Sequence, residues 1–253
     1  MVIKYVGSKA RLVKEISPII QDCILKNGVN TYYEPFVGGA NMIAHIKCRK
    51  RIGNDIDNLP IDLMKTAFNK GNKFFDELPN PYPSKEHYYE VRDNPEQYDA
   101  GYRAAVLLFA SYNARVYGGC YGAFANTKDG GVRNYFQEAM RNFQKQLPLL
   151  ETVVLHNKNY LDLDLQLKNA VIYCDPPYAE GIGYSETFDT DKFWDWARNQ
   201  SKDNYVFVSE YNAPDDFRCV WSKDVKTHMN NRGKLPKVEK LYVYKEGVSK
   251  PKR

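Results

Sequence analysis

A strand that runs into two glycines, followed one strand later by a buried-type acid, constrains this chain more than any other feature. Thr31-Tyr32-Tyr33-Glu34-Pro35-Phe36-Val37-Gly38-Gly39-Ala40-Asn41 reads as a strand, a glycine turn and then a helix over 40–48. A second strand over 51–56 carries Asn54-Asp55-Ile56-Asp57 at its end. Glycine lets backbone approach a ligand where a Cβ would block it. Asp55 stands nineteen residues after Phe36, close to the roughly 20-residue gap between a nucleotide-binding glycine turn and the acid that takes ribose hydroxyls. Glycine turn and spaced acid inside one βαβ unit predict an α/β sheet and an adenosine-containing cofactor.

The second fixed point is Asp175-Pro176-Pro177-Tyr178, after the short apolar run Ala170-Val171-Ile172-Tyr173-Cys174. Two prolines have fixed φ and donate no N–H, so the turn is rigid and its carbonyls are free to point outward. In open α/β sheets, ligands sit outside the carboxyl ends of the strands. A carboxylate, a rigid carbonyl and an aromatic face can hold a flat heterocycle bearing an amino group. A tight turn with a solvated acid would use the same four residues.

Around these points the chain alternates. Ser8 reads as an N-cap ahead of apolar residues at helical spacing (Leu12, Val13, Ile16, Ile19, Ile20), and Ser17-Pro18 predicts a break or a new first turn. Lys9, just inside that start, is placed to reach an anionic ligand. Another helix starts at Asn58. Pro79, Pro81 and Pro83 then mark a boundary, followed by helices over 84–92 and 100–115, a polar glycine-rich loop over 116–131 and a basic helix over 132–147. Strands over 153–156, 171–174, 205–209 and 238–244, with a helix from Thr190, complete the pattern. This predicts a sheet domain in two parts, 1–73 and 149–253, around an insertion at 74–148.

Charge is unevenly spread. The net charge is +5, with ten Lys/Arg against three Asp/Glu between Ser222 and Arg253, and five against two between Ser111 and Lys145. Two basic regions on a mildly acidic body predict a polyanion-binding face, although a solvated basic tail has the same composition. Arg115, Tyr117, Tyr121, Asn126, Lys128 and Arg133 are the candidate DNA-contacting residues of the insertion, with Arg141 beyond them; a small helical insertion with a mobile loop is the alternative. No apolar run is long enough to span a membrane, and the start carries no export signal. The five cysteines and four histidines are scattered, which predicts reduced thiols in a cytosol and no metal site.

Taken in order, Lys4-Tyr5-Val6-Gly7-Ser8-Lys9, Glu34-Pro35-Phe36-Val37-Gly38, Asn54-Asp55 and Asp175-Pro176-Pro177-Tyr178 resemble the Dam-type (D12 class, group alpha) DNA adenine N6-methyltransferases over almost the whole chain. The resemblance implies a Rossmann-like sheet dependent on S-adenosylmethionine, with an inserted helical DNA-recognition domain. It places Tyr5, Lys9, Glu34, Pro35, Phe36, Gly38, Gly39, Asp55 and Asp175 at the cofactor, with Asp55 on the ribose hydroxyls. It assigns catalysis to Asp175, Pro176, Pro177 and Tyr178 on a base flipped out of double-stranded DNA. Position 5 is Tyr where the family often has Trp, and the glycine turn reads Phe-Val-Gly-Gly-Ala-Asn rather than Phe-x-Gly-x-Gly. Methylation of the cytosine amine, or a non-catalytic DNA-binding module that keeps the fold, are the alternatives. A monomer acting alone in a bacterial or phage-infected cytosol is the expectation.

Overall fold

The computed structural model describes residues 5, 7–116, 119–177, 188–225 and 237–247. The chain begins with α1 (Val13–Lys26), β1 (Thr31–Glu34), β2 (Lys50–Asp55), α2 (Asn58–Lys70) and the short α3 (Asn72–Asp76). Then follow α4 (Lys85–Asp93), α5 (Ala100–Ala110), β3 (Phe124–Asn126), β4 (Val132–Asn134) and α6 (Tyr135–Gln146). The remaining elements are β5 (Val153–Asn157), β6 (Val171–Cys174), α7 (Thr190–Gln200), β7 (Tyr205–Glu210), β8 (Phe217–Val225) and β9 (Lys237–Tyr244).

Seven strands form one sheet in the order β5-β2-β1-β6-β7-β9-β8, while β3 and β4 form a separate ribbon. β6 runs parallel to β1 and β7, and β9 runs antiparallel to β7 and β8. All four residues of β6 are buried, as a strand covered on both faces of a parallel sheet must be, which is why it reads as a continuous apolar run. From β1 the chain steps one way to β2 and β5; from β6 it steps the other way to β7. The order therefore reverses between β1 and β6, the switch point at whose carboxyl edge such sheets bind ligands. This is the Rossmann-like architecture the sequence predicts.

Two compact units divide the described residues, one drawn from 14–36, 46–52 and 160–253, the other from 1–13, 37–45 and 53–159. The first has a core of Tyr33, Ile52, Ile172, Cys174, Val206 and Val208 covered by Phe193, Trp194 and Ala197 of α7. The second contains the whole expected insertion and is built on helices. In it, α5 is buried along almost its entire length and packs Phe109 against Phe136 and Phe143 of α6, edge-on at 5.8 Å and tilted at 6.0 Å. Gly101 permits the close approach of α5 to α2: a Cβ there would lie 2.2 Å from Thr66.

Several local expectations are corrected. No helix spans 40–48; Ala40 has φ of 54°, a left-handed value no helix accepts, and only a short 3-10 turn forms at Ile43–His45. α1 runs through Pro18 without a break, because the exposed ring leaves the buried Ile16, Ile20 and Ile24 face in register. α5 ends at Ala110, where Ser111 turns extended and bridges to Tyr121. The stretch 116–131 is not all loop: Phe124 to Asn126 pair with β4, and the Thr127 N–H closes on the Gly131 carbonyl at 2.8 Å while Gly130 takes φ of 83°. The basic segment over 132–147 accordingly opens as a strand.

Candidate active site

Two strand ends flank the switch point. β6 delivers Asp175, half-buried, then Pro176, buried, and Pro177, half-buried; Tyr178 lies outside the described residues. Beside it, β1 ends in Glu34, which is 2% exposed. Burial pushes the Glu34 carboxyl well above the usual carboxylate range, and the charge of Asp175 adds to the rise, while the Tyr32 hydroxyl bond opposes it. Tyr32 donates that bond to Glu34 Oε1 at 2.7 Å. Burial thus favours the neutral form of Glu34 beside Asp175. Below Asp175, the Tyr173 hydroxyl pairs with Ser209 at 2.8 Å, and Tyr211 on the strand end of β7 donates to the buried Glu239 of β9 at 3.4 Å. Phe36, two residues past the end of β1, joins an aromatic cluster with Tyr160 at 5.0 Å and with Phe188 and Phe193 at 5.8 Å.

From Phe36 the chain enters the glycine turn. The Val37 N–H bonds to the Asn54 carbonyl at 2.8 Å, and the Gly38 N–H bonds to Asp55 Oδ2 at 2.7 Å. Gly38 has φ of 45°, and a Cβ there would stand 2.9 Å from the Tyr5 ring, so both conformation and space demand glycine. Tyr5 is held over the turn by its hydroxyl, which donates to Asp57 Oδ2 at 2.8 Å. Lys9 is buried, and Ser8 ahead of it accepts from the Ala10 N–H and from Asn41 Nδ2.

Asp55 is buried and accepts N–H bonds from Gly38 and Asp57. Burial raises its pKa to about 7 against the lowering effect of those bonds. An ionised carboxylate offers about four acceptor sites, so a ligand bearing vicinal hydroxyls would relieve the desolvation that raises this pKa. The turn, the aromatic wall of Tyr5 and this acid fit an adenosyl group. Asn157 Nδ2 braces the turn from β5 by donating to the Asp55 carbonyl at 2.8 Å.

One residue here escaped the sequence reading. Gln146, the last residue of α6 and 4% exposed, donates through Nε2 to the carbonyls of Gly39 and Ala40, at 3.0 Å each. A polar residue at a helix end reads as solvated, and nothing in the sequence ties it to a turn 106 residues earlier.

Of the candidate DNA contacts, Arg115, Asn126, Lys128 and Arg133 are exposed; Asn126 and Arg133 lie on the ribbon and Lys128 at its tip. Arg133 forms a two-point pair with Glu138, Nε to Oε1 at 2.8 Å and Nη2 to Oε2 at 3.0 Å. Tyr121 is committed inward, its hydroxyl donating to the Pro83 carbonyl at 2.6 Å. Tyr117 lies outside the described residues. Among the described residues no helix is long and apolar enough to cross a membrane, and no His, Cys, Asp and Glu side chains cluster as metal ligands.

A Rossmann-like sheet with a glycine turn after β1, an acid after β2 and Asp-Pro-Pro after β6 is the frame of an amino-methyltransferase. The family model of the D12 class N6 adenine-specific DNA methyltransferases matches residues 5–243, and the chain belongs to that family. S-adenosylmethionine is the cofactor of such enzymes. The chain is 27% identical to the modification methylase StsI of Streptococcus sanguinis, over 98% of this chain and 38% of that one. It is 25% identical to the type II methyltransferase M.MjaIII of Methanocaldococcus jannaschii, over 70% and 68% of the two chains. Identity to the type II methyltransferase M.FokI of Planomicrobium okeanokoites is 26%, over 78% and 32%. The chain thus spans about a third to two fifths of the StsI and FokI relatives, and two thirds of M.MjaIII.

Proposed function

We propose that this chain transfers a methyl group from S-adenosylmethionine to the N6 amine of an adenine flipped out of double-stranded DNA, acting as a monomer in a cytosol. The observation that carries the reading is the placement of Asp175-Pro176-Pro177 at the end of β6, beside Glu34 of β1 at the switch point of the sheet.

The amine of adenine is a poor nucleophile because its lone pair is delocalised into the ring. Asp175 and the Pro176 carbonyl accept its two hydrogens, which favours a tetrahedral nitrogen and offsets the positive charge that develops there. Tyr178, by the family pattern, stacks on the base. The cofactor supplies an electrophilic methyl group when bound. The family pattern assigns Tyr5, Lys9, Glu34, Pro35, Phe36, Gly38 and Gly39 to the cofactor, and Asp55 would accept from its ribose hydroxyls. Holding both partners in register supplies much of the rate. Extracting the base costs about a few kcal/mol of unstacking, which phosphate contacts from the ribbon and the basic C-terminal region offset.

The test is modification-sensitive sequencing of host DNA after expression in a methylase-free strain, beside an Asp175→Ala control. N6-methyladenine confined to one short motif, and absent from the control, is the expected result. Marks on cytosine amines would transfer the reading to the cytosine class. No mark at all, with cofactor binding intact, would leave a DNA-binding module.

A further inference from the structure

Gln146 sits where two ends of one helix meet two different tasks. α6 begins directly at β4, and its N-terminus is tied to the ribbon: Asn134 caps it by accepting from the Gln137 N–H, and the Phe136 N–H bonds to the Ala123 carbonyl at 3.0 Å. Twelve residues later it ends at Gln146, about 18 Å away at 1.5 Å per residue. Between those ends Phe136, Ala139 and Phe143 are buried, with Phe143 also 6.0 Å from Phe75, so the helix is packed along its length as one rod. At the far end both hydrogens of one amide are spent on two successive carbonyls of the glycine turn.

That turn holds one residue in a conformation its backbone does not favour. Gly38 takes φ of 45° freely, as glycine can, but the non-glycine Ala40 has φ of 54°. Such geometry persists only where the surroundings over-determine it. Val37 and Gly38 are fixed through their N–H groups by Asn54 and Asp55, and Gln146 fixes the carbonyls of Gly39 and Ala40.

We infer that Gln146 is a positioning residue that couples the DNA-facing ribbon to the cofactor turn, so that duplex engagement and cofactor binding reinforce each other through α6. The inference rests on the function proposed above. A shift of the rod at the ribbon moves the two donors that set the turn, and linkage requires that the effect run equally in both directions.

The test uses the full chain, S-adenosylhomocysteine titrated calorimetrically with and without sheared genomic DNA, and the variants Gln146→Met and Gln146→Glu. In the natural protein, DNA tightens cofactor-product binding, and the product tightens DNA binding by the same factor. Gln146→Met keeps DNA binding alone, weakens S-adenosylhomocysteine by about tenfold, as loss of two buried hydrogen bonds implies, and brings the coupling factor close to one. Gln146→Glu places acceptors against two carbonyls, so its binding, measured against the natural protein at the same pH, falls furthest behind at high pH and draws level as the pH falls and the carboxyl protonates. A residue with only a structural role would lower the melting temperature and leave the coupling factor unchanged. An unchanged factor in either variant, or failure of both variants to fold, overturns the inference. Failure of the natural protein to bind S-adenosylhomocysteine would instead overturn the proposed function.

Discussion

At the scale of single residues, the site separates groups that do chemistry from groups that hold shape. On the proposed function, replacing Asp175 by Ala removes an acceptor for developing charge, so methyl transfer should fall by at least about 10²–10³-fold while S-adenosylhomocysteine binding is little changed. Single-turnover rates and calorimetry separate the two effects. Gly38→Ala acts on shape. Its Cβ would stand 2.9 Å from the Tyr5 ring at φ of 45°, and a non-glycine residue held there costs about 1–3 kcal/mol. Denaturant melts should show that loss, and adding Tyr5→Ala should relieve the steric part, leaving the pair less than additive. Asp55 gives a pH dependence. Folding raises its carboxyl to about 7, so the stability it contributes is full below the ordinary carboxylate range and fades as pH rises through about 7. Ribose hydroxyls favour the ionised form, so cofactor affinity should change the other way, weakening by up to tenfold per pH unit as pH falls below about 7. Titrations at stepped pH check this, and Asp55→Asn should flatten the profile. Gly38, Asp55 and Asp175 were legible because each is an unusual residue for its place. Glu34 was legible by its motif, but its raised pKa depends on burial that no motif displays.

Elements tell a different story about legibility. β6 and β7 could be read directly, since a strand buried on both faces has little choice but to be apolar. β8 could not. It lies at the sheet edge with Arg218, Ser222, Lys223 and Asp224 among its residues, and half-exposed positions leave no period to read. The ribbon of β3 and β4 was hidden for a similar reason: it spans three residues per strand, and Phe124 and Val132 are exposed. In α1 a local rule was overruled. Pro18 is exposed and sits inside a continuous helix, where it removes one backbone hydrogen bond and crowds the preceding turn. Pro18→Ala should therefore stabilise the protein by about 1–3 kcal/mol, read as a higher denaturation midpoint with unchanged cofactor affinity.

For the whole molecule, the sign and placement of charge decide how DNA is met. A chain of net charge +5 whose ribbon exposes Lys128 and Arg133 should, on the proposed function, bind duplexes with a steep salt dependence, the logarithm of affinity falling by about 0.9 per phosphate neutralised. Lys128→Ala should lower that slope by about one and weaken all sequences alike. Arg133 must first leave Glu138, so Glu138→Ala should strengthen DNA binding at low salt. Filter binding across a salt series checks all three. The sheet as a whole also has an order of construction. β9 fits between β7 and β8, although it is made after both. During synthesis β8 emerges with no strand to receive it, and the free side of β7 stays open until residue 244 has left the ribosome. An exposed strand edge invites pairing with other chains. The nascent protein is therefore prone to aggregate until β9 has been made, and a ribosome stalled before residue 237 would hold it in that sticky state.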